Sequence, residues 1–212
     1  MSNIPSVISD RIGPLVEPLH DAFERARHRV DHGYPGLYRE NQDWLRTHVL
    51  RGLLQQQLSD DGLPEHWSLT GNHRQNGAVN LTYGSGEMVL RAVHAFPAGE
   101  APIAGPNGAR RAFYTNRALA DLADPDHMPT HRLLLVWEEE SRDNNFLLTV
   151  VHPLTPGSSR SRVRSDLEFG LPRTLTAFEQ IHFDTADEDE DLLFEFDEDD
   201  FGDEDTGTDD GS

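Results

Sequence analysis

Apolar residues recur at helical spacing through the first part of the chain. Ile8, Ile12, Leu15, Val16 and Leu19 lie three and four residues apart or side by side, the pattern of one helix face. The spacing predicts a helix from Ile4 to Val30, interrupted at Pro14 and Pro18, where proline lacks the amide hydrogen of the helix ladder. The run His32-Gly33-Tyr34-Pro35-Gly36 breaks the pattern. A second helix is predicted from about Leu37 to Leu58. Trp44, Leu45, Val49, Leu50, Leu53 and Leu54 form its apolar face, and Asp60-Asp61-Gly62 ends it.

The period then changes from helical to alternating. His66–Gly71 reads as a weak strand. Val79, Leu81 and Tyr83 alternate with Asn80 and Thr82, as in a half-buried strand. Gln75-Asn76-Gly77 is a hairpin signal, because Asn-Gly accepts the positive φ of a tight turn. Gly84-Ser85-Gly86 turns the chain into Met88–Phe96, so residues 66–96 are expected to form a three-stranded meander. The stretch 97–111 is rich in proline and glycine and reads as a loop. Thr115 or Asn116 is a candidate cap for a short helix from Arg117 to Ala123, stopped at Asp124-Pro125.

Arg132–Glu139 and Phe146–His152 are predicted to pair as a hairpin. Arg162–Phe169 alternates, with Val163, Ser165, Leu167 and Phe169 on one face and Arg162, Arg164, Asp166 and Glu168 on the other. One face of that strand must be wet. A short last element is placed at Phe178–Phe183. The expected fold class is α+β: two N-terminal helices, then a mostly antiparallel sheet of about six strands with one inserted short helix.

Charge divides the chain more sharply than hydropathy. The formal charge of the 212 residues is -20. The last 29 residues, 184–212, hold sixteen carboxylates and no basic side chain. The preceding 183 residues carry 22 acidic against 18 basic groups, a balance of -4. The expected organisation is therefore one globular domain over 1–183 followed by a disordered acidic tail over 184–212, too charged and too poor in apolar residues to offset its ordering entropy. The tail is not uniform: Leu192, Leu193, Phe194, Phe196 and Phe201 interrupt the acid. Alternation of acidic and hydrophobic residues is a known type of disordered binding segment. These five residues are the candidate partner-binding site.

Cysteine and lysine are both absent, and all eighteen basic residues are arginine. This excludes thiolate catalysis, disulfides and cysteine-based zinc sites. It also excludes a Walker A loop, a protein kinase and Schiff-base lysine chemistry. The bias matches the codon usage of a GC-rich bacterium or its phage, the alternative being selection against lysine-directed modification. No window approaches the roughly 20 apolar residues of a membrane span, and MSNIPSVISD has neither the basic nor the apolar region of a secretory signal. A cytoplasmic location is expected.

Several constellations in the body carry possible chemistry. Asp124, Asp126, His127 and His131 are potential metal ligands, but Pro125 and Pro129 prevent the regular helix of a two-histidine motif. Glu138, Glu139 and Glu140 end a strand, with Asp143 in the turn that follows; strand-end carboxylates can hold Mg²⁺ in nucleases. Ser85 lies between two glycines, but it joins two strands, unlike a nucleophile elbow. His94 and His152 fall within strands, where a satisfied core or interface role suits them better than that of a base. Arginines group at Arg110, Arg111 and Arg117 and at Arg160, Arg162 and Arg164, where they could hold phosphates. Direct nucleic-acid binding is not expected, because the body lacks a basic stripe with interleaved aromatics and the tail would repel the ligand.

The sequence points to a non-enzymatic accessory or regulatory protein that binds a protein partner, its tail engaging a basic surface as an inhibitor, an antitoxin-like protein or a nucleic-acid mimic. No cofactor, catalytic residue or metal site is expected on that basis. The alternatives are a metal-dependent hydrolase or nuclease built around residues 124–143, and a structural subunit of a larger assembly.

Overall fold

The computed structural model describes residues 4–33, 43–72, 78–96, 99–122, 130–140 and 145–181. The chain opens with helix α1 (Ile4–Ile12), a 3-10 turn over Gly13–Leu15 and helix α2 (Val16–Gly33). Pro14 makes the 3-10 turn. Pro18 does not interrupt anything, because it sits in the first turn of α2, where an amide hydrogen has no intrahelical partner. Val16, Leu19, Phe23, Ala26 and Val30 form the buried stripe of α2.

Helix α3 (Asp43–Asp61) follows and packs on α2. Leu50, Leu54 and Leu58 are its buried residues, four apart. The expected apolar face is displaced at its N-terminal end: Trp44 is 63% exposed, its ring edge-on to His48. Gly62 stops the helix at φ 79°, a left-handed conformation that glycine adopts without steric cost.

The sheet is α+β in class and mostly antiparallel, with six strands in sequence order: β1 (Trp67–Thr70), β2 (Asn80–Tyr83), β3 (Met88–His94), β4 (His131–Glu139), β5 (Phe146–Pro153) and β6 (Ser165–Leu171). The meander β1–β2–β3 is present, and Gly84-Ser85-Gly86 is its second turn. The first connection runs from Gly71 to Val79, longer than a two-residue hairpin; the Asn76-Gly77 signal lies outside the described residues. Strands β3 and β4 pair in parallel, from Met88↔His131 to His94↔Trp137. That pairing requires a crossover between them, and residues 95–130 supply it.

The inserted helix differs from expectation. It is α4 (Gly108–Phe113), capped by Asn107, whose Oδ1 accepts the Arg110 amide at 3.0 Å. Residues 119–121 form a single 3-10 turn. Asn116 caps nothing. Its Nδ2 donates to the carbonyls of Arg132 (3.0 Å) and Pro153 (2.7 Å), tying the start of β4 to the end of β5. The last described element is helix α5 (Leu175–Glu179), capped by Thr174, with Phe178 against Gly13.

Both faces of the sheet are covered at its centre. Phe23 of α2 packs on Phe146 and Trp137, with ring centroids 4.9 and 5.5 Å away. On the opposite face Val93, Leu134, Val136 and Val151 meet Ala104 and Tyr114 of the crossover. No helix among the described residues is long and apolar enough to cross a membrane.

Candidate anion-binding site

Strand β3 outruns its neighbour β2. Their register ends at Asn80↔Arg91, and one further hydrogen bond joins the Ala92 amide to the Val79 carbonyl at 2.9 Å. Val93 and His94 therefore have no β2 partner, and a notch of about 140 Å³ opens at this edge. Ala78, Ala92, Val93 and Pro102 form its apolar walls, and His94 lines it from the face where its ring meets Trp137.

Three arginines converge on this notch from three elements: Arg51 from α3, Arg91 from β3 and Arg110 from α4. Strand alternation sends Arg91 to the crossover face, where its guanidinium lies over the Phe113 ring at 5.7 Å. Arg110 lies over Tyr114 at 5.9 Å. Arg51 approaches from the helical layer. All three side chains belong to half-buried residues.

Among the described residues no carboxylate lines the notch. Elsewhere five arginines are paired with carboxylates: Arg11 with Glu87, Arg25 with Asp61, Arg46 with Glu139 and Asp31, Arg162 with Glu100, and Arg173 with Glu24. The Nε atoms of Arg51 and Arg110 are buried with no hydrogen-bond partner among the described residues. Burial, then repulsion from Arg110, lowers the pKa of both Arg51 and Arg91. By contrast the pKa of Arg46 is raised, since its carboxylate partners outweigh burial. Burial also lowers that of His94, so its ring enters as a neutral group at pH 7. Among the described residues the notch is a positive site lined by three guanidiniums and no carboxylate.

The sequence grouped Arg110 with Arg111 and Arg117, which are exposed. Arg51 and Arg91 lie in different elements from Arg110, so linear proximity could not have found the cluster. In the second group Arg162 bonds Glu100 at 2.9 Å, while Arg160 and Arg164 are exposed. Leu192, Leu193, Phe194, Phe196 and Phe201 lie outside the described residues.

The candidate hydrolase residues are only partly among the described residues. Asp124, Asp126, His127 and Asp143 lie outside the described residues. Glu139 holds Arg46 through both carboxylate oxygens, and Glu138 accepts the Gly99 amide at 2.7 Å. His131 is buried, its ring centroid 5.6 Å from that of His152. His152 is fully buried and bonds Asp166 through Nδ1 at 2.5 Å. No group of three or more potential metal ligands occurs among the described residues.

No family model matches the chain, and no curated protein or solved structure is significantly similar to it.

Proposed function

We propose that this chain is a non-enzymatic accessory or regulatory protein that binds a protein partner in the cytoplasm. The observation that carries the proposal is uncompensated charge in the folded body. Three half-buried guanidiniums share one notch that has no carboxylate among the described residues. Burying like charges without partners is costly, and a ligand of opposite sign removes that cost. The body would accept an anionic group of the partner there.

The sixteen carboxylates of 184–212 form a second charge set. They would steer a basic surface of the partner into contact, and Leu192, Leu193, Phe194, Phe196 and Phe201 would supply the apolar contacts that hold it. Such a segment can occupy a surface that otherwise binds a nucleic-acid backbone, which is how an inhibitor or mimic would act.

The test uses the full-length protein as bait in extract of its host, beside two variants. One replaces the five tail residues with serine; the other carries Arg51→Gln and Arg91→Gln. A partner retained by the parent chain should be lost from the tail variant by about tenfold or more and weakened in the arginine variant. Identical retention by all three baits would reduce the tail to a solubiliser and overturn the proposal.

A further inference from the structure

We infer that the Arg51–Arg91–Arg110 notch is a site for the phosphoryl group of a phosphate monoester. This rests on the notch being an anion site and narrows it to one chemistry. A monoester carries a charge of about -1.5 to -2 at pH 7 and three strong acceptor oxygens. A carboxylate carries one charge and two oxygens, enough for a single guanidinium fork. Three guanidiniums around one cavity, with two buried Nε–H groups lacking acceptors among the described residues, therefore suit phosphate better than a carboxylate in both charge and acceptor number.

Size supports the same assignment. The notch holds about 140 Å³, well below the roughly 300–1,000 Å³ of a pocket for a whole drug-sized ligand. It admits a group of a few heavy atoms and leaves the organic part of the ester outside. Two of the three donors lie within cation–π range of a ring: Arg91 over Phe113 at 5.7 Å and Arg110 over Tyr114 at 5.9 Å. A guanidinium drawn to a ring face has less freedom left to lose when it binds. Ala78, Ala92, Val93 and Pro102 present apolar side chains that add no competing acceptor.

The experiment is calorimetric titration of the full-length protein with O-phosphoserine, inorganic phosphate and acetate at matched ionic strength. O-phosphoserine and phosphate should each give a saturable one-site isotherm, with Kd on the order of 1 mM or tighter. Acetate should bind at least about tenfold more weakly. Arg51→Gln and Arg91→Gln should each weaken phosphate binding about tenfold or more, since each removes a charge-assisted donor. Arg162→Gln, outside the notch, should change nothing. Circular dichroism of each variant verifies folding, and two independent single substitutions guard against loss of one.

Acetate binding as tightly as phosphate would overturn the phosphate assignment and leave the anion site standing. Phosphate binding without O-phosphoserine would overturn the ester. Binding unaffected by both arginine substitutions would place the ion elsewhere and overturn the inference. No binding by any of the three anions would overturn the inference and the anion site together.

Discussion

Asp166 occupies a position on β6 that the register with β5 skips, and its carboxylate reaches Nδ1 of His152 at 2.5 Å. Pro153 pairs with Ser165 and His152 with Leu167, so Asp166 has no cross-strand partner. A bulge of this kind re-aims one side chain. Asp166 also accepts the Leu119 amide at 2.6 Å, fastening the crossover to the edge strand. A carboxylate only accepts, so Nδ1 of His152 donates. Asp166→Ala leaves both donors without an acceptor and should cost about 2–3 kcal/mol. Asp166→Asn keeps one carbonyl oxygen and should cost less. Urea denaturation of the two variants measures the difference; equal, near-zero losses would show that the bulge contributes no stability.

Acid should weaken the fold through His131. Burial, aided by the His152 ring and Arg11, pushes its pKa down to about 4. An unfolded histidine titrates near 6.5. Between these values the unfolded chain binds the proton and the folded chain does not, so stability falls as pH drops from about 6.5 to about 4. The loss amounts to roughly 3 kcal/mol for this one group and levels off below its folded pKa. Denaturation curves at about pH 7 and about pH 5 should therefore lie closer together for His131→Gln than for the parent chain. Parallel behaviour of the two would contradict a buried, neutral His131.

The arginine notch should carry a stability cost in the unliganded protein. Arg91→Met keeps the aliphatic stem near Phe113 while removing one of three mutually repelling charges. The expected gain is on the order of 1 kcal/mol, the scale of repulsion between charges several ångström apart near a surface. Urea midpoints without added anion measure it, and added phosphate should reduce the advantage by stabilising the parent chain more than the variant. A destabilised Arg91→Met would mean that Arg91 is a structural group rather than a ligand-binding one.

The local pattern determined the elements whose boundaries are set by nearby residues. The buried stripe of α2, the stop at Gly62, the turn at Gly84-Ser85-Gly86 and the pairing of β4 with β5 all follow from periodicity and turn chemistry within short windows. Pattern failed where long-range bonds competed with local ones. Asn116 has the side chain of a helix cap, yet it serves carbonyls at 132 and 153. The exposed Trp44 shows that a helix's apolar residues need not all find a layer to cover them.

Sequence by itself also determined the separation of charge: sixteen carboxylates in one terminal run is a property of linear order. Only the tertiary structure decided which arginines matter together. Arg51, Arg91 and Arg110 are spread over three elements, and nothing local relates them. They meet because β2 is shorter than β3 and leaves an edge that α3 and α4 approach from opposite sides of the sheet. Whether a charge is paired or left bare depends on which side chains packing brings within a few ångström, and Coulomb energy follows that distance rather than separation along the chain.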